Sequence, residues 1–277
     1  PAESIDLSKF RAIAVYSEME RTGDFVCGHE KINQLYHNII WGQKSNYIDV
    51  PTDCPQRDER LGWTGDAQVF VRTAAMNFNV ERFFEKWLRD LEAGQLDSGA
   101  VGWLVPACNV YDEENVSSAW GDAATICPWE IYMAYGNKRI LENQFESMKR
   151  WVDYIRNFGD EEYLWIGGKQ YGDWLGLDGE EGSFYGATAF DYISSAFYAR
   201  STDIFIKAGK CLGIDMKEYE SLYKNIVRAF KERFTKDGIP IEKTQTAYAI
   251  ALYFDLCDDK AKTAEGLARF IKDNGMR

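Results

Sequence analysis

The chain has 277 residues, 45% hydrophobic and 27% charged, with 32 Lys and Arg against 44 Asp and Glu for a net charge of −12. That is a soluble globular composition, and an acidic surplus without any basic run repels phosphate backbones and anionic headgroups, so nucleic acid and membrane surfaces are excluded as partners. No apolar stretch reaches the roughly 18–20 residues of a bilayer span, and the opening PAESIDLSKF has neither the basic region nor the hydrophobic core of an intact signal peptide.

Alternating Phe10, Ala12, Ala14 and Tyr16 predict a short N-terminal strand, so residues 1–28 read as a strand or linker segment and nothing later reads as a sheet. From His29, Ile32, Leu35, Tyr36, Ile39 and Ile40 follow the i, i+3, i+4, i+7 series of one helix face and predict a first helix over 29–46. Further helices are predicted over 66–78, over 80–94 (Val80, Phe83, Phe84, Trp87, Leu88, Leu91) and over 119–135. Leu141, Phe145, Met148, Val152 and Ile155 mark a fifth, Ile193 to Leu212 a sixth, and Tyr223, Ile226, Phe230 and Phe234 a seventh; an eighth and ninth are expected over 243–257 and 260–274. Only six prolines, as suits a helical chain, interrupt this pattern.

The connections alternate in length. The long ones are 47–64, 95–118 and 158–187; those between them are as short as Gly136-Asn137 and Gly213-Ile214. Consecutive antiparallel helices return to the same side every second connection, so the long loops are expected on one face of the scaffold, where sites sit. This alternation predicts an all-α (α/α)6 toroid over 29–277. A closed toroid needs twelve helices and nine are predicted, so it is expected to be incomplete in this chain.

The first long loop holds five carboxylates, Arg57, Arg60 and Trp63 between Asp49 and Asp66. The bland reading is an exposed loop whose arginines pair with neighbouring acids while Trp63 plugs the core. Against it stands the aromatic content of the chain, 9 Trp and 16 Tyr, because rings beside carboxylates are what a sugar requires: flat apolar faces for its C–H groups and charged acceptors for its hydroxyls.

The run from Asp53 to Asp66, DCPQRDERLGWTGD, resembles the signature of the bacterial inverting α-L-rhamnosidases, a glycoside hydrolase family with an (α/α)6 catalytic barrel. The resemblance extends more weakly to Ser118–Ala123, to Tyr171–Leu175 and to Thr244–Tyr248. It implies that Glu59 is the general acid and that Asp53, Arg57 and Asp66 are ligands to the hydroxyls of a terminal rhamnose. It further implies Trp63, Trp120 and Trp174 as walls around that sugar, with Asp122 and Asp173 as additional ligands. No cofactor or metal is implied; the expected partner is a rhamnose-containing glycoside or polysaccharide, with further β-rich domains in the parent protein.

Inverting hydrolysis needs one protonated carboxyl at the leaving oxygen and one carboxylate activating water on the opposite face, about 6.5–9.5 Å apart. Apolar walls or like charges keep such an acid protonated, and Glu59 lies close in sequence to Asp53, Asp58, Asp66 and Trp63, with Arg57 and Arg60 opposing. The family's general base is a glutamate beside a tryptophan on a much later segment; no such pair follows Gln245, and Glu130 lies inside a predicted helix, so the base is expected outside this chain. A rival reading is a carbohydrate-binding module on the same scaffold. A lyase or hydrolase for uronic acids is disfavoured, because an anionic sugar asks for more Arg and Lys than these loops hold.

Other candidates read as structural. The six cysteines form no C-x-x-C pair and, with two histidines, no zinc spacing, so they read as buried thiols that leave the compartment open. His29 and His37 have no catalytic partner at hand. Asp112-Glu113-Glu114 is a solvated acidic run or a cation site, and Asn115-Val116-Ser117 is a formal sequon.

Overall fold

In a computed structural model, residues 6–108 and 116–274 are described. The acidic run at 112–114 and the Asn of the sequon lie outside them. The described residues form nine α-helices: α1 Glu30–Asn46, α2 Thr64–Asn77, α3 Glu81–Gly94, α4 Ala123–Tyr135, α5 Lys138–Arg156, α6 Phe190–Cys211, α7 Lys217–Phe234, α8 Gln245–Tyr253 and α9 Lys260–Asn274. The all-helical expectation holds, with ends shifted by a few residues.

The helices form two layers. Helix α4 packs on α2 and α6, and α6 packs on α8, making an inner row of even-numbered helices; α3, α5 and α7 lie outside them, and α9 lies against α8. Burial follows position. Outer helix α3 buries Phe84, Trp87, Leu88 and Leu91, and α5 buries Ile140, Leu141, Met148, Trp151, Val152 and Ile155, one apolar face each. Inner helices α4 and α6 are flanked on several sides, so their burial extends around the helix and takes in small residues such as Ala123, Ala124, Ala196 and Ala199. Two side chains mark helix starts: Asn137 Oδ1 accepts from Arg139 N at 3.1 Å, and Thr244 Oγ1 accepts from Ala247 N at 3.1 Å.

Two expectations fail. The N-terminal segment is not a strand: apart from a 3-10 turn at Leu7–Lys9, it is irregular as far as an isolated bridge between Arg21 and Phe78. Alternation stabilises a strand only against a partner, and Phe10, Ile13 and Val15 are exposed, 64–78% of their surface being free. Conversely, two small hairpins occur where none was predicted: β1 Tyr47–Ile48 with β2 Val50–Pro51, and β3 Thr235–Lys236 with β4 Ile239–Pro240. Two-residue strands are too short to show alternation; their signals are the turn residues Asp49 and Asp237-Gly238, all at positive φ.

Candidate active site

The three long connections meet at one end of the helical layers. Trp63 bridges Leu104, and the backbone of Val105 donates to Gly62 O at 2.8 Å, so the first and second loops run side by side. Gly62 permits that approach, because an added Cβ would lie 2.0 Å from Val105 O. The second and third loops are tied by hydrogen bonds: Ser118 N and Oγ each donate to Gln170 Oε1 at 2.8 Å, both buried, and Tyr171 N donates to Ser117 Oγ at 2.9 Å.

Within the first loop the charged residues close on one another. Asp53 N donates to Leu61 O at 3.0 Å and Leu61 N to Asp53 Oδ1 at 2.9 Å, which folds the segment back on itself and brings Arg57 and Glu59 to Asp53. Arg57 Nε donates to Glu59 Oε2 at 2.8 Å and Arg57 Nη2 to Asp53 Oδ2 at 3.3 Å. Glu59 Oε1 accepts from Trp63 Nε1 at 2.9 Å. Both oxygens of Glu59 are thus held by donors fixed in the loop. Asp53, Cys54 and Glu59 are the one set among the described residues whose possible metal-ligating atoms lie within 4.8 Å of one another. Arg57 already bonds both of these carboxylates and supplies the positive charge there.

Asp66, in the first turn of α2, opens onto the cleft, where water reaches it. The protein around it strips part of its hydration and, with the nearby charges of Asp53 and Glu59, raises its carboxyl above the usual aspartate range. The cleft has a volume of about 380 Å³, the size of a small-molecule site, and Asp66, Trp120, Asp173 and Trp174 line it. A second hollow of about 380 Å³ reaches Asp66 from the other side, between α1, the first loop and Asp53. Asp173 Oδ2 accepts from Thr246 Oγ1 at 2.5 Å, so the third loop is moored to the start of α8.

Aromatic rings join these parts. Tyr171 is the centre of the group, 6.2 Å from Trp63, 4.9 Å from Trp103, 4.7 Å from Trp120 and 5.4 Å from Trp174. Burial pushes its phenol up to about 12, so it keeps its proton over the physiological range. Three non-glycine residues of the loops, Arg60, Ala119 and Leu175, stand at φ of 53°, 67° and 59°, a backbone state that persists only where the surroundings impose it.

Residues 20–277 match the family model of the bacterial α-L-rhamnosidase six-hairpin glycosidase domain. The chain belongs to this family. It is 40% identical over 256 residues to an α-L-rhamnosidase of Formosa agariphila, a match covering 91% of this chain and 27% of that protein. Among solved structures, an α-L-rhamnosidase of Aspergillus terreus superposes with a TM-score of 0.92 at 35% identity, covering 99% of this chain and 33% of that one. The Streptomyces avermitilis α-L-rhamnosidase, solved in complex with L-rhamnose, gives 0.86 at 34% identity, over 94% and 24%. The chain therefore spans about a quarter to a third of the length of these rhamnosidases.

Of the predicted site residues, the structure gathers Asp53, Arg57, Glu59 and Trp63 in one cluster and Asp66, Trp120, Asp173 and Trp174 around the adjoining cleft. Asp122 is placed apart from both. It is fully buried at the head of α4, and its oxygens accept from Ala119 N, Trp151 Nε1 and Ser201 Oγ, which leaves none for a sugar. A carboxylate two residues from a wall tryptophan looks like a ligand in the sequence; only the turn of the backbone shows that it points inward. Trp103 and Tyr171, which the sequence places on the long loops without a role for either, stand within this ring group. Their signal was available, since both are rings on long loops of the same face.

Proposed function

We propose that this chain carries the acid side of an inverting α-L-rhamnosidase, hydrolysing terminal non-reducing α-L-rhamnose. Glu59 is the general acid. Asp53, Arg57 and Asp66 bind hydroxyls of the sugar, Asp173 contributes a further acceptor, and Trp63, Trp120 and Trp174 present rings to its C–H face. The observation that carries this reading is the double anchoring of Glu59 by Arg57 and Trp63. A carboxyl so held keeps one orientation, and it gives a proton to the leaving oxygen once the bound sugar has drawn Arg57 to its own hydroxyls. The water-activating base comes from outside this chain. The product is then released with the opposite anomeric configuration, as β-L-rhamnose.

One observation favours a second assignment. Asp66, on the adjoining cleft, is a carboxyl whose pKa is raised, a property suited to an acid that must hold its proton. In that variant Asp66 donates and Glu59 binds the sugar.

Leaving-group dependence separates them, because a good leaving group departs without a proton. In the full-length protein, Glu59→Gln should slow hydrolysis of natural rhamnosides roughly 10²–10⁴-fold and that of a nitrophenyl rhamnoside much less. Asp66→Asn should slow both about equally. The assignment of Glu59 is wrong if Asp66→Asn, rather than Glu59→Gln, shows the dependence on the leaving group.

A further inference from the structure

Asp122 is the only buried acidic or basic residue among the described residues, and it does not reach the cleft. Its surroundings show what it does instead. Oδ2 accepts from Ala119 N at 2.7 Å, and Oδ1 accepts from Trp151 Nε1 at 3.0 Å and from Ser201 Oγ at 2.5 Å. Ser201 stands on α6 and Trp151 on α5, so the carboxylate is fixed from two helices while its free oxygen grips the backbone of the second loop. The gripped residue is Ala119, held at φ 67°, which an alanine does not adopt unaided.

The next residue is Trp120. Behind it the chain is packed from the core, since a Cβ on Gly121 would lie 2.3 Å from the Trp151 ring. In front, Trp120 covers Gly65, where a Cβ would lie 2.7 Å from its ring, and leans on Tyr171 at 4.7 Å. The turn at Ala119 therefore decides the direction in which Trp120 leaves the backbone.

We propose that Asp122 is a positioning residue: by holding Ala119 in its left-handed turn it presets Trp120 as the wall of the cleft, and sugar affinity depends on it through that ring alone. The statement about affinity rests on the rhamnoside reading of the cleft; the statement about the ring does not. Asp122→Asn is the natural probe, because an amide has one acceptor oxygen. Whichever way it turns, an N–H of Ala119 or of Trp151 faces an NH2 group.

The test is a double-mutant cycle in the full-length protein, with L-rhamnose binding followed by calorimetry and the Trp120 signal by near-ultraviolet circular dichroism. Asp122→Asn and Trp120→Ala are each expected to weaken L-rhamnose binding about tenfold or more, and the double variant to bind no more than about twofold worse than Trp120→Ala. Multiplying losses, or wild-type affinity in folded Asp122→Asn, overturns the proposal. Ala119→Gly, which adopts the turn without help, should restore part of the affinity lost in Asp122→Asn; a loss due only to general loosening would not respond. Should Asp122→Asn fail to fold, Ser201→Ala carries the same cycle: a loss of affinity that vanishes in the Trp120→Ala background supports the proposal, and unchanged affinity overturns it. A wild-type protein that binds no L-rhamnose defeats the rhamnoside reading instead. The dichroism then decides alone, since loss of the Trp120 component in Asp122→Asn supports the positioning role and its persistence refutes it.

Discussion

Asp66 and Trp174 show how environment sets a residue's task. A carboxylate whose pKa is raised in the folded state binds its proton more tightly there than in the unfolded chain, so stability falls as pH climbs from the ordinary aspartate value near 3.8 through the raised one. The ionised form is therefore a net cost above that window. Asp66→Asn should raise the melting temperature at pH 7 by roughly 1–3 °C, a modest gain because water reaches the group, and the difference should shrink toward pH 3. A melting temperature unchanged at both pH values would remove the electrostatic account of Asp66. Trp174 retains 41% of its surface and stacks on Phe184 at 5.4 Å, so Trp174→Ala should cost little stability while weakening L-rhamnose binding. Trp151, with no exposed surface, should lose about 3–5 kcal/mol on the same truncation. At this scale the sequence was readable for the charged cluster, where chemistry and spacing coincide, and misleading for Asp122, whose partners on α5 and α6 lie 29 and 79 residues away.

Elements with a periodic apolar face were legible, and those defined by turns or missing partners were not. The faces of α3 and α5 are buried as their spacing predicts, because amphipathic periodicity and outer-layer position are the same fact seen twice. The start of α4 was placed four residues early, since Ala119 and Trp120 continue the apolar pattern while their backbone is held in a turn. The Phe10–Tyr16 segment shows the converse, with strand alternation and no sheet to join. The junction of the first two loops is a close local fit, and Gly62 is where the two backbones meet. Gly62→Ala should destabilise by about 1–3 kcal/mol in chemical denaturation, since the methyl group must displace the Val105 backbone. Gly94→Ala, with open space at its Cβ, should not.

Taken as a whole, the described helices make a two-layered arc whose inner row leaves Val69 on α2, Met133 on α4 and Tyr253 on α8 exposed. The alternation of long and short connections foretold that arc and the gathering of its loops, because connection length is governed by which end of a helix pair the chain has reached. Which ring meets which depends instead on Gly62, Gly65 and Gly121 letting backbone and indole approach. If acid and base are divided as proposed, the chain alone should be inactive on an aryl α-L-rhamnoside, and the full-length protein should turn over with β-L-rhamnose as the first product seen by proton NMR. The most direct measurement is a crystal structure of the full-length protein with L-rhamnose. The account predicts the sugar within hydrogen-bond distance of Asp53, Arg57 and Asp66, its C–H face on the tryptophan wall and its anomeric carbon beside Glu59. A sugar bound with Glu59 beyond hydrogen-bond reach of its anomeric oxygen would contradict it.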